Sequence, residues 1–172
     1  MKQDLFNRLT PARWLLPAAL GLLLGLQACS KDKLCEDEPF CARVNGKLWW
    51  PSDNGDFKAR PLTISLLYGD SVLAIRASNG SERIYLSVRD GKVISAKDYT
   101  LTDTLSRGYF DKSLSSDEFE TDSVNTGLLS ITEINCSKKT LTGTFFFKAF
   151  NSATGEVVEV SNGRFDAFYT EY

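Results

Sequence analysis

From Phe40 onward, apolar side chains recur at every second position rather than every third or fourth. Leu62, Ile64, Leu66 and Tyr68 alternate with Thr63, Ser65 and Leu67, and Ile84, Leu86 and Val88 alternate with Tyr85 and Ser87. Leu141, Gly143, Phe145, Phe147 and Ala149 likewise share one face, with Phe146 on the other. Period two places successive side chains on opposite faces of a strand. Turn signals punctuate the pattern: Asn-Gly at 45–46, 54–55, 79–80 and 162–163, Gly69-Asp70, and Asp90-Gly91. Asn, Asp and Gly tolerate the positive φ angles that tight hairpins require. The predicted strands are Phe40–Val44, Lys47–Trp50, Leu62–Tyr68, Val72–Ala77, Arg83–Arg89, Gly127–Asn135 and Thr140–Asn151, then Glu156–Val160 and Arg164–Tyr169 on either side of the last Asn-Gly. Asp111–Asp122 is polar and reads as a loop or a short helix. These features predict an all-β domain, an antiparallel β-sandwich or a flattened β-barrel.

The first thirty residues follow a different rule. Lys2, Arg8 and Arg13 precede the apolar run Trp14–Leu26, the layout of a secretory signal peptide with its short helix. Thirteen apolar residues are too few for a membrane span, which needs about 20. The run ends in Leu26-Gln27-Ala28-Cys29, which resembles the lipobox of bacterial lipoproteins. That resemblance implies cleavage after Ala28 and lipid on the Cys29 thiol. Ser30 resembles the residue that sorts lipoproteins to the outer membrane, and Lys31-Asp32 with the acids after it resembles a surface-export signal. The expected organisation is a signal peptide over 1–28, a charged tether over 29–39 and the all-β domain over 40–172, in the cell envelope on the periplasmic or the outer side.

Charge and residue usage narrow the chemistry. Residues 29–172 carry 17 of the 20 Lys/Arg and 21 of the 22 Asp/Glu, a formal charge of −4. Nucleic-acid binding wants a basic face and is not expected; attachment to a membrane would fall to the lipid. The chain contains no histidine, which removes Ser-His-Asp and Cys-His catalysis and the commonest metal ligand. No catalytic, metal or cofactor residue is expected. Carboxylate pairs could still hydrolyse glycans, but many of the acids sit beside Gly, Ser or Asn, as in surface turns. Asp117, Glu118, Glu120 and Asp122 lack the central Gly of a calcium loop.

Besides Cys29, the domain and tether hold Cys35, Cys41 and Cys136. Export permits disulfides. Cys41–Cys136 is the preferred pair because it would join two predicted strands across a long loop, and Cys35–Cys41 is the alternative, a short clip. A zinc site finds no CxxC pair. Trp50 and Phe146 are the candidate surface aromatics, because Trp49 and Phe145 should take the inward positions beside them.

Several segments together resemble a family of Bacteroidetes lipoproteins of unknown function. They are Phe40-Cys41-Ala42-Arg43-Val44-Asn45-Gly46-Lys47-Leu48-Trp49, Asn125–Thr132, Leu141–Phe147 and Asn162–Asp166. The resemblance implies an exported, lipid-anchored all-β domain and no assigned activity. The expected function is a non-catalytic binding or structural domain whose partner is a protein, a glycan or a small molecule. A lipocalin-like carrier of an apolar ligand and a carboxylate-dependent glycan hydrolase are the alternatives.

Overall fold

The computed structural model describes residues 35, 37–53, 60–102, 105–112 and 118–172. The expected signal-peptide helix, Ala28, Cys29 and the Asn54-Gly55 turn lie outside the described residues. Within them the chain is all β. The strands are β1 Phe40–Val44, β2 Lys47–Trp49, β3 Leu62–Leu67, β4 Val72–Ser78, β5 Glu82–Arg89 and β6 Asp98–Leu101. They continue as β7 Ser106–Lys112, β8 Glu118–Glu120, β9 Gly127–Asn135, β10 Thr140–Phe150, β11 Val157–Phe168 and β12 Thr170–Glu171.

All twelve belong to one sheet, ordered β12-β3-β4-β5-β7-β8-β10-β11-β1-β2, with β9 pairing β10 beside β8 and β6 pairing β9. Pairing is antiparallel except between β12 and β3. The sheet curls into an open half-barrel rather than splitting into two layers. Its open seam is stitched in two places. The Ser52 amide donates to the Ser78 carbonyl at 3.0 Å, and Thr170 and Glu171 pair with Ser65 and Leu66.

The inward positions fill the curl with aromatics. Phe40 packs against Phe145 at 5.1 Å between ring centroids and against Trp49 at 5.9 Å, and Phe145 reaches Phe165 at 6.4 Å. Burying each such side chain contributes roughly 1.5–3 kcal/mol. Phe147 stands over Gly108, where a Cβ would lie 2.7 Å from the ring, so β7 can approach β10 only with glycine there.

Three expectations change. Asp111–Asp122 is neither loop nor helix throughout: Asp111 and Lys112 end β7, and Glu118–Glu120 form β8. Glu156–Val160 and Arg164–Tyr169 are parts of one strand rather than two segments flanking a turn. Asn162, at φ 50°, is the extra residue of a bulge. Both neighbours of β11 register it, between Phe145 and Phe147 of β10 and between Cys41 and Arg43 of β1. Being paired on both sides holds β11 straight through an Asn-Gly that would otherwise turn, and Gly163 leaves room for the Phe145 ring, 2.5 Å from a would-be Cβ.

The third correction concerns the disulfide. Cys41 pairs with Cys35, not with Cys136, which is free and exposed. Cys41 is fully buried on β1 opposite Arg164 of β11, whereas Cys136 lies in the turn leading to β10, two strands away. Two strand spacings are about 10 Å, beyond the roughly 7 Å Cα separation a disulfide can bridge. The Cys35–Cys41 Cα separation is 5.7 Å.

Candidate functional site

Sequence order and alternation build a cleft at one end of the half-barrel. Asn45 and Gly46, both at positive φ, turn β1 back into β2. The Asn45 amide donates to the Glu159 carbonyl at 2.8 Å, and Asn45 Oδ1 accepts from the Glu159 amide at 2.9 Å, so the turn is fixed to β11. Trp49 then points inward and is buried, while Trp50 points out and is 45% exposed. On the facing side, Asn79 Oδ1 accepts from the amides of Ser81 and Glu82 and shapes the β4–β5 turn. Trp49 Nε1 donates to Glu82 Oε2 at 3.0 Å, bringing the two sides together.

The cleft between them has a volume of about 870 Å³. Trp49, Phe110, Phe119 and Val158 give it an apolar floor, and Lys47, Glu82, Lys112 and Glu156 a charged rim of both signs. Trp50 contributes to its wall. Such a surface can stack a planar or sugar-like face on the indole and hydrogen-bond its edges at the rim. Glu82 already accepts from Trp49, and Asn79 Nδ2 lies 3.5 Å from it, so this carboxylate is engaged structurally.

Phe146, the other candidate aromatic, lies elsewhere. It is 53% exposed in a shallow groove of about 660 Å³ on the outer face of β9, β10 and β11, beside Leu128, Thr144 and Lys148. The two sequence-predicted aromatics therefore mark two separate surfaces.

A third cluster was not legible in the sequence. On the outer face of β5 and β7, Arg83 holds Asp111 through two contacts of 2.9 Å, with the Asp111 side chain 6% exposed. The bond to Asp111 raises the Arg83 pKa further. Burial first, and then the negative charge of Asp111, pushes the neighbouring Tyr109 hydroxyl well above its ordinary range. The group therefore stays a fixed ion pair with a neutral phenol beside it, and its donors and acceptors face one another. The pair forms because β5 and β7 set Arg83 directly opposite Asp111, a register that no signal in the sequence announces.

The acidic run does not converge. Asp117 lies outside the described residues, Glu118 and Glu120 flank the buried Phe119 on the exposed side, and Asp122 Oδ1 accepts from the amides of Val124 and Asn125 at 2.7 and 2.6 Å. Among the described residues there is no group of three or more His, Cys, Asp or Glu placed to hold a metal ion.

A family model described as a domain of unknown function (DUF6252) matches residues 50–168. The match begins after the Phe40–Trp49 opening and covers the core of the sheet from β3 through β11. No curated protein and no solved structure matches the chain.

Proposed function

We propose that this chain, which belongs to the DUF6252 family of domains of unknown function, is a lipid-anchored protein of the cell envelope whose domain binds a ligand without transforming it. The anchor is argued from Leu26-Gln27-Ala28-Cys29 after a short apolar run. Each buried CH₂ contributes about 0.8 kcal/mol to membrane attachment, so two or three acyl chains hold a domain durably where one holds it only briefly. The outer membrane is the proposed address, from Ser30 and the charged residues that follow.

The single observation that carries the binding role is Trp50, a large aromatic left half-exposed on the wall of a cleft with an apolar floor and a charged rim. Placing an indole in water forgoes burial that its neighbour Trp49 obtains. The chain has no histidine and Glu82 is engaged by Trp49, which supports reading the cleft as a binding surface.

The test is a screen of oligosaccharides and short peptides by quenching of tryptophan emission, repeated with Trp50→Ala and Phe146→Ala. Binding should be lost with Trp50→Ala and kept with Phe146→Ala. Equal binding by wild type and Trp50→Ala would remove the cleft from consideration.

A further inference from the structure

We propose that the outer face of β4, β5 and β7 carries a second binding site, which holds a sugar ring bearing a carboxylate or sulfate group through Arg76, Arg107 and Tyr85. The site shares no lining residue with the Trp50 cleft and does not depend on it.

Strand register builds the site. Arg76 of β4 pairs with Tyr85 of β5, Tyr85 with Tyr109 of β7, and Tyr109 with Glu120 of β8, so these four form one row on the outer face. Arg83 stands two residues before Tyr85, and Arg107 two residues before Tyr109. Because β5 and β7 are antiparallel, the two arginines flank the row on opposite sides. Tyr85 therefore has Arg76 directly across the sheet, Arg83 along its own strand and Arg107 on the diagonal. These residues border a pocket of about 350 Å³.

The three arginines differ in what they have left to give. Arg83 is committed to Asp111, and that pair is a fixed wall. Arg107 lies 3.7 Å from Glu120, beyond hydrogen-bond distance, with both side chains close to half exposed. An exposed pair of that kind contributes little and exchanges readily for a better acceptor. Arg76 is exposed and has no acid beside it: its cross-strand neighbours are Thr63 and Tyr85, and Ala74 and Ser78 adjoin it on the same face of β4. Asp111 and Glu118 stand opposite each other on the Arg83 side of the row, away from Arg107. Across the pocket, three arginines against Asp111 and Glu120 leave one positive charge in excess, in a chain of formal charge −2. That excess selects an anion. The strands β4 and β7 are two spacings apart, about 10 Å, so the long stems of Arg76 and Arg107 can close on one oxyanion above Tyr85. Tyr85 and Tyr109, paired and half-buried, set two phenols side by side, a platform for the face of a sugar ring with hydroxyls at its edge. Ligand pockets run from about 300 to 1,000 Å³, so this one takes a single ring with its charged group rather than a chain.

The test is calorimetry and saturation-transfer NMR on the full chain in detergent, with glucuronate and sulfated N-acetylglucosamine as probes. Glucose, N-acetylglucosamine, sodium sulfate and a short oligoglutamate peptide are the comparisons. At least one charged sugar should bind, and which one does tells carboxylate from sulfate. Its neutral parent should bind about tenfold more weakly or less well still. Arg76→Ala and Arg107→Ala should each weaken binding about tenfold with circular dichroism unchanged, since neither side chain is committed within the fold. Arg76→Lys, which keeps the charge and loses the planar fork, should weaken it less than Arg76→Ala. Lys138→Ala, which removes the same charge from the exposed turn after β9, should leave binding as it was. Binding that survives both arginine-to-alanine substitutions, or that falls equally with Lys138→Ala, would overturn the site. Neutral sugars that bind as tightly as the charged ones would overturn the role of the anion. Sulfate alone or oligoglutamate binding as tightly as the charged sugars would overturn the role of the ring. Absence of binding by both charged sugars would overturn the proposal whole and leave the Trp50 cleft untouched.

Discussion

Trp49 and Glu82 belong to β2 and β5, strands that are not neighbours in the sheet, yet the indole donates to the carboxylate at 3.0 Å across the mouth of the half-barrel. The bond fixes the inward tryptophan and sets the width of the cleft whose wall carries Trp50. A part-buried hydrogen bond to a charged acceptor contributes about 1–2 kcal/mol. Glu82→Ala should lower stability by about that amount, and Glu82→Gln, which keeps an acceptor, by less. Trp49→Ala should cost about 3–5 kcal/mol because it also empties a core position. Urea unfolding of the single and double variants measures the coupling, and additive losses would show that the bond contributes nothing.

The cysteine arrangement predicts a simple labelling pattern. In the domain purified from residue 30 onward, maleimide should modify Cys136 alone without reductant, and Cys35, Cys41 and Cys136 after reduction under denaturing conditions. A label on Cys35 with Cys41 and Cys136 protected would show the long-range bridge instead. Cys35→Ser should cost about 2 kcal/mol, since the loop it closes is short.

Asp122 gives a pH signature. Hydrogen bonds from the Asn125 amide and side chain, and from the Val124 amide, hold its carboxyl below the ordinary value of 3.8. A depressed folded value means that the stabilising contribution is complete above the unfolded value and is lost as pH falls through the folded one. The difference in melting temperature between wild type and Asp122→Ala should therefore be present at pH 7 and shrink on acidification below the ordinary carboxylate range. A difference that stays constant down to acid pH would mean that the turn is held by something other than the ionised carboxyl.

Strands that alternate strongly were legible residue by residue. β9 ends where the pattern predicts, and β10 alternates from Leu141 to Ala149 as read. β7 was hidden because its inward positions include Gly108, small so that Phe147 can pack against it, which leaves Phe110 as its one large inward apolar residue. β8 is three residues with a single buried phenylalanine, too short to show a period. The Asn162-Gly163 bulge shares its local chemistry with a hairpin turn, and pairing on both sides decides between them. The same limit applies to the site. Trp50 and Phe146 were found because each neighbours an inward aromatic, whereas the cleft, the Arg83–Asp111 pair and the Cys35–Cys41 bond depend on which strands become neighbours.

Lipid anchoring is tested most directly by mass spectrometry of the N-terminal peptide of the chain isolated from membranes, for wild type and Cys29→Ala. The expected result is a wild-type chain that begins at Cys29 and carries two or three acyl chains, and a variant that keeps no lipid and leaves the membrane fraction. A wild-type chain that begins elsewhere, or one with an unmodified Cys29 thiol, would contradict it.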